Sequence, residues 1–449
     1  MKIKLKKGLR LNIDGQISDF SKTTRILPGE YAITPDDYPG FIPKVEAREG
    51  DRVKTGSPLL FDKNQPDLKL VSPVCGTVKQ IVRGERRKIL RVVVEADRPQ
   101  TAEFAGFKIS KDSSSEEIKT ALASSGLLAL LRRRPYDTVV RLDDTVRDIF
   151  VTAFDLAPLA APLTVSYDAD TLADIQLGVN TLSRLTSGKI YISTDKAIEL
   201  NGIRGAEITE FEGPYPASNT GVQIANIAPV NKGDVVWTLD IRTLAKIGRF
   251  AASGQIDPTV TVAVTGPEVV HPQMIETLAG AAIAPLIENN IDNSGRHLRI
   301  ISGNVFTGTA VDLADGFLRY PYRQITVIAE GDDVDEFMGW ASFAPGKMSQ
   351  SRTFPGHFLG RLFHPDARLN GGRRAMIMSG EFDKVMPMDI LPEYLLKAII
   401  GRDIDSMEKL GIYEVAPEDF AAAEYVDTSK MPLQQIVRDG LDYIRKELE

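Results

Sequence analysis

RDIFVTAFDLAPLAAPL at residues 147–163, TLADIQLGVNTLSRLT at 171–186 and KIYIST at 189–194 together decide how this chain is read. The first piece holds a short, nearly continuous apolar run, as expected of a strand buried on both faces, and then a Pro/Ala-rich loop. The second repeats its apolar residues with helical period and is stopped by Gly188; the third is again strand-like. Strand, helix and strand joined by short connections make a βαβ unit, whose crossover should be right-handed over a parallel sheet. Ligands of such sheets bind beyond the carboxyl ends of the strands. Here that place is Phe154 and Asp155 with the LAPLAAPL loop.

Upstream, SSSEE at 113–117 supplies a capping-box start for a helix that ALASSGLLALL carries onward and Pro135 ends. Arg132, Arg133 and Arg134 then read as the end of that helix, where cations complement its dipole, in preference to the alternative of an anion site. Downstream, a helix over IRTLAKIGRFAASG closes the α/β region at 257. The strand TVTVAVTG, a helix opened by Pro272, and the strands LRIISG and QITVIAEG suggest a small α+β unit at 258–331. The remainder, 332–449, is loop-rich and then a set of short helices. The first hundred or so residues, 1–105, are short strands cut by turn signals, with RGERRK (83–88) as a charged hairpin turn. The α/β region thus occupies 106–257. The chain is an α/β multidomain protein.

Composition narrows the function. The 449 residues hold 54 Lys plus Arg against 61 Asp plus Glu, a net charge of −7, which argues against a nucleic-acid binder. A single cysteine, Cys75, can build neither an internal disulfide nor a Cys-ligated zinc or iron–sulfur site. The best apolar run, LAGAAIAPLI at 278–287, is about half of the ~20 residues a spanning helix needs. The N-terminus MKIKLKKGLRL lacks the apolar core of an export signal, so the chain reads as soluble and cytoplasmic.

No short motif assigns a catalytic, cofactor-binding or metal-binding residue. Gly303 and Gly308 in GNVFTGT have P-loop spacing, but Thr309 stands where the phosphate-binding Lys is needed, leaving a strand-to-loop turn. His357, His364 and Asp366 could ligate a metal, yet the spacing of the histidines suits no local zinc motif; ordinary loop packing is the better reading.

E-G-D-x-V-x-x-G-x-x-L at 49–59 and P-x-x-G-x-V at 73–78 resemble the biotinyl/lipoyl fold. Carrier domains of that fold bear a modified Lys at a hairpin tip. Counting from either motif lands here on Gln65 or Pro66, which have no amine, with Lys63 and Lys69 flanking. The module therefore reads as structural or docking.

The whole chain resembles the A subunits of the Na+-translocating NADH:quinone oxidoreductases (the NQR complexes), bacterial respiratory assemblies of six subunits. The resemblance rests on KKGL, VEAREGDRVKTGSPLLFDK, RDIFVTAFDLAPLAAP, FEGPYPASNTG, RIISGNVFTG, FMGW, GGRRAMIMSGEFDKVMPMDILPEYLLKAIIGRDIDSMEKLG and LDYIRKEL, in that order. It implies a biotinyl/lipoyl-like β barrel, a Rossmann-like α/β domain, a ubiquitin-like β-grasp (SLBB-type) domain and a C-terminal helical domain. It also implies a peripheral position on the cytoplasmic face of the inner membrane. Five partner subunits would carry NADH, flavins and iron–sulfur centres, with quinone handled somewhere in the complex.

Departures from the pattern bear on mechanism. Flavin-binding relatives place a glycine-rich segment after the first helix; this chain has SGLLALLRRRPYD, with only Gly126 and the bulky Leu127, Leu128 and Leu131. The relatives' cysteine cluster has no counterpart after Cys75, and EYVDTSK (424–430) lacks the Cys pair that many members of the family keep there. A segment that normally reads GPHPAG is GPYPAS, with Tyr215 and Ser218 altered. The expected function is docking and assembly, with quinone handling as part of it and no flavin or iron–sulfur centre on this chain. The alternative is a redox protein binding flavin or nucleotide in the Rossmann-like pocket.

Overall fold

The computed structural model describes residues 1–97, 113–164, 167–292, 295–332 and 362–449, with the single positions 104, 106, 347, 354 and 358. Asp148–Thr152, from the stretch quoted first, is the central strand of a seven-stranded sheet. Its order is Lys2–Lys4, Glu207–Glu212, Ile190–Thr194, Asp148–Thr152, Val236–Asp240, Arg132–Arg134, Thr138–Val139. The first five strands run parallel and the last two are added antiparallel. From Asp148–Thr152 the chain steps outward through Ile190–Thr194 and Glu207–Glu212, then returns to lay Val236–Asp240 on the other side. The order therefore reverses at the central strand.

Both faces of that strand are covered, which is why its sequence is apolar without alternation. Ile149 and Val151 enter the main core with residues of the helices Ala169–Leu182 and Ile241–Ser253. Phe150 points the other way, onto Ile224 of the helix Thr220–Ile227, and stacks with Tyr191 at 5.0 Å. The two long helices meet backbone to backbone. A Cβ at Gly178 would lie 2.2 Å from the Leu244 carbonyl oxygen, and one at Gly248 would lie 1.8 Å from that of Asp174.

The helix expected to end in arginines stops earlier. Ser114 caps it reciprocally with Glu117, as the sequence implied, but it spans only Ser115–Ser124. Gly126 takes a left-handed φ of 78° just past the end, where glycine has no Cβ penalty. Arg132–Arg134 consequently form a strand against Val236–Asp240, and they are not cations of a helix terminus.

A six-stranded sheet follows in the order Thr309–Val311, Leu298–Ser302, Gln324–Ala329, Thr259–Thr265, Gln273–Leu278, Thr23–Arg25. Gln273–Leu278 is a strand where the sequence suggested a helix after Pro272. Ladders on both sides satisfy its backbone, antiparallel to Thr259–Thr265 and parallel to Thr23–Arg25, and a proline is tolerated before the first paired residue. The first 25 residues thus tie into two sheets, through Lys2–Lys4 and Thr23–Arg25.

Two small antiparallel sheets make the N-terminal β unit around Leu59, Leu60, Val74, Val78, Val92 and Val94. Its hairpin tip is docked. Asp62 accepts the N–H groups of Ile42, Asn64 and Gln65, and the Gln65 side chain accepts Leu142 N–H of the α/β unit at 2.7 Å. Lys69 pairs with Glu46 at 2.6 Å over the Phe61 ring. At the other end of the chain, Pro392–Gly401, Ile404–Lys409, Ala421–Val426 and Leu433–Leu448 pack around Phe382, Leu395, Phe420 and Leu441.

Because an added methyl has nowhere to go between the two long helices, Gly248→Ala should destabilise the chain by about 1–3 kcal/mol, the usual cost of overpacking. Denaturant unfolding checks this; an unchanged midpoint would mean that the helices do not touch at their backbones.

Candidate functional site

A cavity of about 480 Å³ lies where the strand order reverses, at the carboxyl ends of Asp148–Thr152 and Val236–Asp240. That is the position ligands take in doubly wound sheets. Thr152, Phe154, Asp155 and the following loop (Ala157, Ala160, Ala161, Leu163) form one wall, as the sequence placed it. The rest was not foreseen. Asp37 comes from the N-terminal β unit, Arg319, Tyr320 and Arg323 from the connection that leads into Gln324–Ala329 of the six-stranded sheet, and Glu418, Gln434 and Arg438 from the C-terminal helices.

Alternation along Arg132–Arg134 explains how one short strand serves both cavity and scaffold. Arg132 and Arg134 line the cavity, whereas Arg133 turns away to Asp144 at 3.0 Å and Glu449 at 2.8 Å. Arg134 is buried and faces Glu418 at 3.2 Å, Asp419 at 3.6 Å and Asp137 at 3.8 Å. Arg132 donates to the Asp37 carbonyl at 2.6 Å and lies over the Tyr320 ring. Arg319 is neutralised by Asp37 and Arg323 by Asp240.

Burial and mutual repulsion push the acidic pair of the C-terminal helices upward. Asp419 is fully buried, with its carboxylate against Gly221, the second residue of Thr220–Ile227. Glu418 is pushed up to about 7, first by desolvation and then by Asp419, with Arg134 opposing. Its side chain keeps 44% of its surface open, so water reaching it tempers the burial effect.

The two altered residues of GPYPAS both belong to this cavity. Tyr215 is buried and stacks on Phe306 at 5.0 Å; burial raises its phenol well above the ordinary value. Ser218 Oγ accepts Leu156 N–H at 3.0 Å, pinning the loop that follows the central strand. GNVFTGT is a turn between Leu298–Ser302 and Thr309–Val311, held by Asn304 Oδ1 accepting Phe306 and Thr307 N–H, and it too faces the cavity. His364 pairs with Asp14 at 3.1 Å and Asp366 with Arg368, so the structure does not bring these two together; His357 lies outside the described residues.

Three family models cover most of the chain in order. They are described as the NqrA N-terminal barrel-sandwich hybrid domain (residues 3–97), the NqrA second alpha/beta domain (113–256) and the NQRA C-terminal domain (261–312). The A subunit of the Na(+)-translocating NADH-quinone reductase of Pasteurella multocida (strain Pm70) is 34% identical over 99% of this chain and 100% of that one. The corresponding protein of Neisseria meningitidis serogroup A is 35% identical and that of Vibrio atlanticus 34%, each over 99% of this chain and 100% of theirs. The chain belongs to the NqrA family. The three matched segments are its barrel-sandwich domain, its second α/β domain and its SLBB domain, with helices at the C-terminus. A solved NAD+-reducing [NiFe]-hydrogenase overlays 51% of this chain and 52% of its own at 11% identity and a TM-score of 0.30, too slight a likeness to carry an argument.

What sequence reasoning missed in this NqrA-family cavity is its arginine rim. LRYPYR at 318–323 bore no motif, and RRR was read on a helix. The signal available was the burial of charge implied by three arginines between LLALL and an X-Pro step.

The raised carboxyl of Glu418 makes a pH prediction. Folded, the pair holds a proton that an unfolded chain, with the ordinary glutamate value of 4.5, has released. Its contribution to stability is therefore full below about pH 4.5 and lost as pH rises towards about 7. Glu418→Gln should flatten that part of the stability curve and unfold later than the parent at about pH 7.5. Denaturation midpoints across this range measure it, and parallel curves for the two proteins would count against the assignment.

Proposed function

We propose that this chain serves as the A subunit of a Na+-translocating NADH:quinone reductase, in a docking and structural role within which quinone is handled, and without a flavin or iron–sulfur centre of its own. Full-length similarity to proteins named as that component supports the membership. In this reading the barrel-sandwich domain is biotinyl/lipoyl-like, the α/β domain Rossmann-like and the SLBB domain a β-grasp.

The observation that carries the role is the segment after the first helix. A flavin phosphate needs free backbone N–H groups, and glycine allows the close approach. Here Gly126 packs on Val71, a Cβ there lying 3.1 Å from a Val71 methyl, and Leu127, Leu128 and Leu131 are buried in the core. Those residues do not fit a flavin phosphate. The chain's one cysteine, Cys75, is buried, with Sγ accepting Thr55 N–H at 3.4 Å, and one thiol cannot hold a cluster. NADH oxidation, flavins and clusters would then belong to the five partner subunits.

We place the chain at the cytoplasmic face of the bacterial inner membrane, held by membrane-embedded partners. Among the described residues no helix is long and apolar enough to cross a bilayer, and the net charge of −7 disfavours anionic headgroups.

Two experiments test this reading. Purified chain should show no stoichiometric flavin band near ~450 nm, an absorption set by the isoalloxazine, and should not reduce a dye with NADH. Either signal would contradict the role. Expressed without its partners, the chain should remain in the supernatant after membrane sedimentation, and pelleting with bare membranes would defeat the partner-dependent attachment.

A further inference from the structure

RGERRK at 83–88 joins the strands Gly76–Arg83 and Ile89–Ala96, and it folds in a way its residues disfavour. Lys88 N–H donates to the Glu85 carbonyl at 3.0 Å, closing a tight turn. Its two central residues, Arg86 and Arg87, take left-handed φ values of 52° and 60°. Hairpin turns with positive φ at both centres favour Asn-Gly, because most Cβ atoms crowd a carbonyl oxygen there. Two arginines are sterically poor occupants of those positions. Among the described residues neither of their side chains has a hydrogen bond or ion pair to offset the strain. Strain of this kind persists where another demand holds it, commonly at a site of contact.

Charge is what the two arginines supply. Arg83, Arg86 and Arg87 are exposed, and Arg83 reaches only the Arg87 carbonyl, at 3.2 Å. Lys88 is paired with Asp36 at 2.7 Å, so Glu85 is the one carboxylate within 83–88 to set against three arginines. With a net charge of −7 over the whole chain, this tip is a positive point on an acidic protein. Leu90, set apart by the irregularity that pairs Val82 with Arg91 and Arg83 with Ile89, is 38% exposed at the start of the return strand. The base of the hairpin is held firmly. Val82 and Val93 pack with Ala282 and Phe317 from connections of the six-stranded sheet, and Arg91 pairs with Asp315 at 2.8 Å over the Phe317 ring. A tip presented on a fixed base loses little freedom when it binds.

On the reading of this chain as one subunit of a complex, we propose that the tip at 83–88 is a docking point for a carboxylate-rich surface of a partner subunit. Arg83, Arg86 and Arg87 engage that surface through forked, charge-assisted hydrogen bonds, and Leu90 covers the apolar side of the contact. Lipid headgroups fit less well. Electrostatic attachment to a bilayer takes clusters of roughly four to eight basic residues, and the rest of this chain is acidic.

The test co-expresses all subunits of the complex, captures it through a tag on a membrane-embedded partner, and measures how much of this chain is retained. Arg83→Glu with Arg86→Glu and Arg87→Glu should lower retention to about a tenth of the parent's or less, because like charges then face each other. Arg86→Asn with Arg87→Gly supplies the residues the turn prefers. It should raise the denaturation midpoint of the isolated chain and still lower retention several-fold. Retention equal to the parent's in either variant would overturn the proposal and leave the subunit reading intact. A parent chain absent from the captured complex would overturn the reading, and the proposal with it. Sedimentation of the parent chain, but not of the triple variant, with phosphatidylglycerol vesicles would assign the tip to lipid and overturn the proposal as well.

Discussion

Three consecutive arginines hold the parts of this molecule against one another. Arg132 reaches back to the Asp37 carbonyl of the N-terminal unit, Arg133 forward to Glu449 at the last helix, and Arg134 to Glu418 and Asp419 of the C-terminal helices. They can do so because they lie on a strand at the margin of the parallel sheet, where side chains alternate between two sides. Removing one of these arginines would leave the carboxylates facing it, among them the buried Asp144 and Asp419, without compensation, so the arrangement couples the sheet edge to the domain contacts. The cavity exists because these contacts keep three units apart at a fixed spacing while closing around it.

Much of the α/β core was legible from hydrophobic pattern. IFVTAF is apolar but for Thr152 since helices cover both faces of the strand, and the helices on either side of KIYIST carry plain capping and period signals. The wall of the cavity at Phe154, Asp155 and the Pro/Ala loop followed from the position of a strand end alone. Two elements were misread for the same physical reason. Arg132–Arg134 owes its conformation to a ladder with Val236–Asp240, over a hundred residues away, and Gln273–Leu278 is held by a hairpin partner on one side and by the distant Thr23–Arg25 on the other, pairings that its proline-led local signal did not report. The arginine rim was illegible because its members, from 132 to 438, meet only in the folded chain.

Family membership and the residues at the site make one consistent description. The segment that would cradle a flavin is packed into the core, and the sole thiol is buried. The region where an α/β protein holds its ligand is instead an arginine-lined chamber shared between domains. In the role proposed above, such a chain would join partner subunits while electrons move on other chains.

The most direct measurement of that account is a structure of the assembled complex, determined with quinone present. It should show this chain on the cytoplasmic face, touching the membrane-embedded subunits through protein contacts, with every flavin and iron–sulfur centre on other subunits. A flavin or cluster bound within residues of this chain would contradict it.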